Sequence, residues 1–385
     1  MNIGDMPDVK VRFEVQQPNI APAWMIGART HLLDCWEPQL EWIRMPELQF
    51  PRRDYWVSLD EAGHSAAPNT SWLRRSFRRQ SRQPLELNVP YHDVRIHGPD
   101  NIALSILDGA MMSLACQNAA RELGLADSVT AIISSQMAPF CVEVYRILGI
   151  PTRVTDRDVS GRRLQTNFDL VACMSLAGKL LPQSIVSELE NGGESLPKKL
   201  YLARRGSRAV QNSTDMETEL MRAGFTTFFP EDHSVIDQFR HLWHAETIFG
   251  LHGAGLAALL LRAAMPNPRP VQLIEVFGPG YIVTLYRHLI ATIGGQWVGI
   301  RGRVTPEVVH NLDHKQGQGL LHKVIAKLHG PAALRFLFQE PQWQRTHQSS
   351  SFAVDPASIR AAFDVLNGEA LEPHSRPISF AERIC

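Results

Sequence analysis

The sequence predicts an α/β protein with two lobes, each built around a parallel β-sheet. Its 385 residues are enough for two domains of ordinary size. Short apolar runs typical of buried strands alternate with longer runs typical of helices, first over residues 129–155 and again over residues 199–293. Because a strand–helix–strand order needs a crossover connection, we expect parallel neighbours in both lobes.

The first lobe is predicted to begin with an irregular segment, residues 1–66, that caps it. Apolar residues at steps of three and four predict a helix from Asn101 to Leu123, and Gly124 ends it. The next predicted elements are a strand at Val129–Ile133, a helix at Phe140–Leu148 and a strand at Pro151–Thr155.

The second lobe is predicted to follow a linker at residues 176–198, which are rich in Gly and Pro and poor in periodic pattern. Thr214 and Glu217 have the spacing of a capping box at the start of a helix. The predicted strands are Lys199–Ala203, Phe225–Phe229, Thr247–Gly250 and Val271–Phe277, and the predicted helices are Thr214–Arg222, Ser234–Ala245, Ala254–Arg262 and Tyr281–Ile293.

These patterns divide the chain into three parts. Residues 1–195 form the predicted first lobe, and residues 196–335 form the predicted second lobe. Residues 336–385 are predicted to be a C-terminal tail with a helix that packs back on the lobes.

The composition argues against several classes of function. The 39 basic and 39 acidic residues balance, so no overall field attracts nucleic acid. The five cysteines form no CxxC pair and indicate neither a disulfide framework nor a zinc site. Without an apolar run of membrane-spanning length or a secretory signal, the chain is expected to be cytoplasmic. The basic stretch at residues 71–82 has two interpretations, a solvated helix face or a peripheral contact with an anionic membrane.

Three features converge on one edge of the predicted second sheet. His252-Gly253-Ala254-Gly255, here called the HGAG corner, joins a strand to a helix, and its backbone N–H groups and the helix dipole favour a phosphate. Arg204, Arg205 and Arg208 follow another strand, and their guanidinium groups suit a diphosphate. Glu275, near the end of a third strand, suits the hydroxyl groups of a ribose. Together these features predict a nucleotide site.

The residues of this edge resemble glycosyltransferase family 61. The segment Tyr201–Asn212 is similar to the ISRRxSRxxxN motif of that family, and the HGAG corner matches its HGAGL motif. The intervening pattern and the position of Glu275 agree as well, and the resemblance extends from about Asn101 to Ile300.

This resemblance implies a GT-B architecture, in which two Rossmann-like lobes face a central cleft, with residues 1–195 on the acceptor side and residues 196–335 binding the nucleotide sugar. It implies inverting transfer of a sugar from a nucleotide sugar, commonly a UDP-sugar, to a glycan hydroxyl, in polysaccharide or other glycan biosynthesis. It also implies that Arg204 and Arg208 bind the diphosphate, that the Gly253–Gly255 turn binds phosphate through its backbone, and that Glu275 lies near the ribose.

The base that accepts the proton of the acceptor hydroxyl is predicted to be Asp108, because it keeps the acidic position of the family pattern NxxHxxxD. The alternative is a carboxylate held within the lobe by its own hydrogen bonds. His92 and Asp93, on a predicted loop, are further candidates. His252 has two interpretations as well: it contacts the phosphates or the sugar, or it braces the turn.

No metal or other cofactor is predicted. Asp156 and Asp158 have a spacing that holds a metal in some other glycosyltransferases, but they lie in the first lobe and the arginines already supply positive charge.

Two departures from the family keep a rival hypothesis open. Leu104 stands where the NxxHxxxD pattern has histidine, and Ala258 stands where an asparagine often follows HGAGL. The rival is a sugar-nucleotide-binding or scaffold protein with weakened catalysis, and a third alternative is a sugar-nucleotide epimerase.

Overall fold

The structure, a computed structural model, describes residues 9–16, 18–28, 40–50, 53–66, 83–95, 100–193, 195–205, 210–278, 282–303 and 351–369. These residues form a mixed α/β fold with two sheets in which parallel pairs predominate. The predicted α/β class is therefore confirmed. The strands are β1 (Lys10–Phe13), β2 (Ala23–Ala28), β3 (Leu40–Met45), β4 (Tyr55–Ser65), β5 (Leu85–Asp93), β6 (Thr130–Ile133), β7 (Thr152–Val154), β8 (Val159–Thr166), β9 (Lys199–Leu202), β10 (Thr226–Phe228), β11 (Thr247–Leu251), β12 (Gln272–Phe277) and β13 (Gln296–Arg301).

The first sheet has six strands in the order β1-β4-β8-β5-β6-β7. Strands β8, β5, β6 and β7 are parallel neighbours, as the strand–helix–strand pattern predicts, whereas β1 and β4 add antiparallel pairs at one side. The carboxyl ends of β5, β6 and β7 therefore meet at one edge.

The second sheet has seven strands in the order β10-β9-β11-β12-β13-β2-β3, and β3 is its antiparallel strand. Strands β2 and β3 come from residues 1–66, which we expected to cap the first lobe. Side chains alternate along a short strand with a period of two residues, and this pattern does not specify which of two sheets the strand joins. In this structure β2 pairs with the free edge of β13. The boundaries between domains stay a prediction.

The helices are α1 (Ile102–Leu104), which continues through a π-helix (Ser105–Ala110) into α2 (Met111–Glu122), then α3 (Pro139–Ile147), α4 (Leu170–Leu180), α5 (Gln183–Glu190), α6 (Ser213–Arg222), α7 (Val235–His244), α8 (Leu285–Thr292) and α9 (Pro356–Leu366). Short 3₁₀ segments lie at Pro230–Asp232 and Ala254–Ala264. Left-handed glycines end α2 at Gly124 (φ 65°) and α6 at Gly224 (φ 85°), where a side chain would be strained.

Two local predictions were wrong, and a third is confirmed in position but not in helix type. The segment predicted to be an irregular linker contains the end of α4 and all of α5, because its apolar residues are buried in the interior. The helix predicted after the HGAG corner is present at Ala254–Ala264 and is a 3₁₀-helix. The predicted capping box is absent, since α6 begins after Asn212, whose amide instead exchanges hydrogen bonds of 2.7 and 2.9 Å with the backbone of Val354.

The core joins the two sheets. One buried apolar cluster includes Val57 and Leu164 of the six-stranded sheet together with Leu200 and Leu256 on the side of the seven-stranded sheet. The 3₁₀-helix Ala254–Ala264 packs against α1, α4 and α7 within this layer. A second cluster covers the opposite face of the seven-stranded sheet, where α6 and α9 pack.

Helix α9, near the C-terminus, packs on β13 and β2.

Residues 71–82, for which a membrane contact was one interpretation, lie outside the described residues. In the described part of the chain no single helix has the length and apolar content of a membrane span, although α4 and α5 pass such a test together as a pair bent by 78°.

Candidate functional site

The HGAG corner lies at the carboxyl end of β11, near the middle of the seven-stranded sheet. The His252 N–H extends the strand by donating to the Val276 carbonyl at 2.7 Å, and Gly253 then starts the 3₁₀-helix in an extended conformation. The first hydrogen bond of that helix runs from the Leu256 N–H to the Gly253 carbonyl. The N–H groups of Ala254 and Gly255 precede this bond, so they can donate to an anion outside the helix.

Arg204 lies against this corner. Its Nη1 atom is 3.1 Å from the position that a Cβ atom on Gly253 would occupy, so the missing side chain lets the guanidinium approach the turn. The Arg204 side chain is half-buried, and no other described residue forms an ion pair with it. The structure therefore brings together two of the predicted features, a guanidinium group and the glycine turn.

Arg205, the next residue, is held elsewhere. Its guanidinium forms two hydrogen bonds with Asp232, at 2.6 and 2.8 Å, and stacks over the Phe229 ring at 4.0 Å. The predicted diphosphate contact needs a guanidinium open to a ligand, whereas this one is neutralised within the protein. Arg208 lies outside the described residues.

His252 is held by Glu275. Its Nδ1 atom is 2.6 Å from Glu275 Oε1, and the imidazole is stacked on Phe277 with 5.2 Å between ring centroids. Because an ionised carboxylate only accepts hydrogen bonds, Nδ1 carries the proton of this bond, and Nε2 is then the ring nitrogen that can exchange a proton. The His252 side chain is 12% exposed and the Glu275 side chain is fully buried.

Glu275, predicted to lie near a ribose, has two partners within the protein. Its second oxygen, Oε2, accepts a hydrogen bond of 2.7 Å from the indole N–H of Trp297, so both carboxylate oxygens have partners inside the protein. The contact with a ribose stays a prediction, and the contact that the structure shows is with the His252 imidazole.

The sheet makes room for this buried carboxylate. In the strand register Glu275 lies between Gly250 of β11 and Gly299 of β13, two residues without side chains on that face. The Trp297 ring fills the space over Gly299, where an added Cβ would come within 2.6 Å of it. The sequence analysis gave Trp297 no role. The signal for this space is the pair of glycines, Gly250 and Gly299, on the two strands beside Glu275.

Tyr286 supports the corner from α8. Its hydroxyl donates to the Gly253 carbonyl at 2.8 Å, and its ring lies 5.6 Å from that of His252. The sequence analysis gave Tyr286 no role in the site, because the contact spans 33 residues of chain. With Arg204 and the helix N–H groups, the corner offers a positive site for a phosphate beside an imidazole held in one orientation.

Asp108 lies on the π-helix, half-buried, and this helix contacts the 3₁₀-helix that begins at the HGAG corner. Gly109 beside it is required there, because an added Cβ would lie 2.0 Å from the hydroxyl of the buried Tyr145. Burial raises the pKa of the Cys173 thiol well above its ordinary value, and the nearby carboxylates of Asp108 and Asp169 add to the rise. A π-helix often marks a functional position, and this one carries the predicted base.

Leu104 lies one turn before Asp108, on α1. That helix packs against the 3₁₀-helix, and Asn101 caps it by accepting from the Ala103 N–H at 2.9 Å. The asparagine of the family pattern is thus a helix cap in this chain, and Leu104 is half-buried in a helix that packs against the 3₁₀-helix.

His92 and Asp93 were predicted to lie on a loop, but both lie in strand β5. His92 is 6% exposed, and its Nδ1 atom lies 3.0 Å from the Leu164 carbonyl. Asp93 is bound to Arg95, with 2.7 Å from Asp93 Oδ2 to Arg95 Nη2. Burial raises the pKa of Asp93, but the Arg95 guanidinium more than offsets this and holds it below the ordinary value. Both residues stabilise the sheet.

Asp156 and Asp158 contact side chains and backbone of the six-stranded sheet and its loops. Asp156 accepts hydrogen bonds from the Ser134 hydroxyl at 3.0 Å and the Ser135 N–H at 3.1 Å, and Asp158 lies 4.0 Å from His64. Among the residues that the structure describes, no group of three or more His, Cys, Asp or Glu side chains is arranged to hold a metal ion.

Comparison with known proteins identifies a family. The family model described as Glycosyltransferase 61 matches residues 46–270, more than half of the chain. This range includes Asp108, Arg204 and the HGAG corner and ends before Glu275. No curated protein matches the chain.

Proposed function

The chain belongs to glycosyltransferase family 61, and we propose that it transfers a sugar from a UDP-sugar to a hydroxyl group of a glycan, with inversion at the anomeric carbon. In this proposal the two sheets are the lobes of a GT-B arrangement and the seven-stranded sheet binds the donor. The pathway that we propose, polysaccharide or other glycan assembly, rests on the family alone.

One observation carries the donor half of the proposal. Arg204 and the first N–H groups of the 3₁₀-helix lie at the same corner as an imidazole whose orientation is fixed by a buried carboxylate. A diphosphate bound there would meet a guanidinium, two backbone donors and the Nε2 atom of His252. Such donors, fixed in place before the reaction, stabilise the charge that develops on a leaving group.

The proposed reaction is a single displacement. The acceptor oxygen forms a bond to the anomeric carbon, while the bond from that carbon to the diphosphate oxygen breaks on the opposite face. The acceptor proton passes to a base, for which we propose Asp108, and the electron pair of the broken bond leaves with UDP. His252, as an imidazolium paired with Glu275, donates a hydrogen bond to the departing diphosphate.

The test is to incubate the protein with a panel of UDP-sugars, with and without candidate glycan acceptors, and to measure UDP release. The expected result is release from one donor that rises when an acceptor is added. Tight UDP-sugar binding without acceptor-dependent release would favour the binding or scaffold protein, the rival that Leu104 motivates. Conversion of the donor sugar without any acceptor would favour an epimerase.

A further inference from the structure

A cavity lies where the chain passes between the two sheets, between the segment after β1 and the segment after β3. Its volume is about 870 Å³, within the usual range for ligand-binding pockets. The residues that line it are mainly polar, with two phenylalanines among them: Phe13, Asn19, Gln49, Phe50, Arg53 and Asp54.

Phe50 provides a fixed aromatic surface. One face of its ring is stacked on His288, with 4.3 Å between centroids and an angle of 25°. His288 is 2% exposed, and burial lowers its pKa to about 4, so the ring beneath Phe50 is neutral at pH 7. Phe50 itself is half-buried and lines the cavity. An aromatic face of this kind packs against the C–H groups on one side of a sugar ring.

Two amide side chains beside Phe50 are held in position by one carboxylate. Gln49 Nε2 donates to Glu47 Oε1 at 3.1 Å, and the Asn19 side chain also bonds to Glu47. These hydrogen bonds hold the pKa of Glu47 below its ordinary value. Each amide has further donor and acceptor positions, which match the hydroxyl groups of a sugar.

The charges of the cavity disfavour an anionic ligand. Arg53 is paired with Asp169, with 3.1 Å between Nη1 and Oδ2, so its charge is compensated. Glu14 and Asp54 add negative charge to the lining. An anionic ligand would be repelled by these carboxylates, whereas a neutral ligand would not.

Two helices connect the cavity with the candidate site. Helix α8 carries His288, which supports Phe50, and also Tyr286, whose hydroxyl bonds to the Gly253 carbonyl. Asp169, the N-cap of helix α4, bonds to Arg53 and lies, like Asp108, close to Cys173. The cavity is therefore connected through α8 to the HGAG corner and through α4 to the surroundings of the predicted base.

We propose that this cavity binds the glycan acceptor, a neutral oligosaccharide, with Phe50 against a sugar ring and the amides of Asn19 and Gln49 on its hydroxyl groups. The assignment rests on the proposed function in naming the ligand an acceptor, but binding of a neutral oligosaccharide can be measured without any transfer.

The experiment measures binding of a panel of neutral di- and trisaccharides, and separately of UDP, to the full chain and to three variants. The wild type is expected to bind at least one neutral oligosaccharide. Gln49→Ala should weaken that binding by about tenfold, the scale of one neutral hydrogen bond, and Phe50→Ala should weaken it further. Phe140→Ala is the matched control, because Phe140 is 43% exposed on α3 and does not line the cavity.

Several outcomes decide the assignment. UDP affinity should be equal in all four proteins, which would also show that Phe50→Ala folds. Failure of every panel member to bind the wild type, or equal oligosaccharide affinity in wild type and Gln49→Ala, would overturn the assignment. Oligosaccharide binding that depends on Phe50 and Gln49 in a protein that never releases UDP would support the glycan site while the transferase proposal failed.

Discussion

Each sheet has an arginine at its carboxyl edge, and the two arginines differ in their contacts. Arg95 follows β5 of the six-stranded sheet, and Arg204 follows β9 of the seven-stranded sheet. The Arg95 side chain is 1% exposed, and its guanidinium bonds to both Asp93 oxygens and to backbone carbonyls that include those of Ser65 and Arg157. Arg204 is half-buried and has no ion-pair partner among the described residues.

This difference distinguishes a structural edge, at Arg95, from the edge at Arg204 where we propose that the ligand binds, here called the binding edge. At Arg95 every guanidinium donor is satisfied within the chain, so this side chain has no donor left for a ligand. At Arg204 the positive charge lies beside a glycine turn whose first N–H groups precede the hydrogen bonds of the 3₁₀-helix. In our proposal the acceptor is therefore bound by the helices and the cavity, rather than by the strand ends of the six-stranded sheet.

The largest expected effect tests the structural edge. Arg95→Met should lower the free energy of unfolding by about 3–5 kcal/mol, because it leaves the buried Asp93 carboxylate without its partner. The loss is measured by urea unfolding at pH 7. Arg146→Met is the matched control: Arg146 pairs with Glu143 on the surface of α3, its side chain is 70% exposed, and its removal should cost about 0.5 kcal/mol or less. A similarly small loss of unfolding free energy in Arg95→Met would show that the hydrogen bonds of Arg95 do not stabilise this edge of the sheet.

The Arg95–Asp93 pair also predicts that the free energy of unfolding depends on pH. Since Arg95 holds the pKa of Asp93 below its ordinary value, the ionised carboxylate stabilises the fold above that ordinary value, roughly pH 4. This stability is lost as the pH falls through the lowered pKa of the folded state. Arg95→Met should abolish this part of the acid sensitivity, and Arg146→Met should retain it.

The next effect tests the binding edge through catalysis. His252→Ala should slow transfer by about 10²–10³-fold, the scale of one lost donor to a developing negative charge. UDP affinity should change by about tenfold or less. The control is His64→Ala, since His64 is 53% exposed and lies 4.0 Å from Asp158, in β4 of the six-stranded sheet. Full activity in His252→Ala would remove His252 from the reaction.

A smaller effect compares two neighbouring arginines. Arg204→Ala should weaken UDP binding by about 1.5–3 kcal/mol, the scale of a hydrogen bond to a charged group. Arg205→Ala should leave UDP affinity unchanged, because Arg205 is bound to Asp232. Calorimetric titration of both variants with UDP distinguishes the two. Equal losses would mean that Arg205 leaves Asp232 when the nucleotide binds.

The sequence predicted the elements that depend on local pattern. Strands β9 to β12 of the seven-stranded sheet, the corner at His252–Gly255 and the position of Arg204 at the same edge follow from a strand, a turn and a helix in a fixed order. Strand β13 was not among the predicted strands. The parallel pairing of β6 and β7 follows from the same rule. These features need no information about distant parts of the chain.

What the sequence did not predict depends on contacts between distant residues. Arg204 and Arg205 are adjacent and chemically identical, and they differ only because Asp232, 27 residues further on, binds one of them. Glu275 has the position expected of a ribose ligand, but the glycines on both neighbouring strands let it be buried under His252. The period of two residues in β2 and β3 likewise could not specify their sheet.

The smallest expected effect tests how far the binding edge extends into the protein. Trp297→Phe keeps an aromatic ring in the core and removes the N–H that donates to Glu275 at 2.7 Å. Loss of one hydrogen bond of about 0.5–1.5 kcal/mol should loosen the carboxylate and slow transfer by roughly two- to tenfold, with UDP affinity unchanged. Trp243→Phe is the matched control, because Trp243 is 1% exposed and donates to Glu190 at 3.2 Å, away from His252. If both variants lost stability equally but only Trp297→Phe slowed transfer, Trp297 would position Glu275. Equal transfer rates in the two variants would mean that Trp297 has no part in the reaction and that the site extends only to His252 and Glu275.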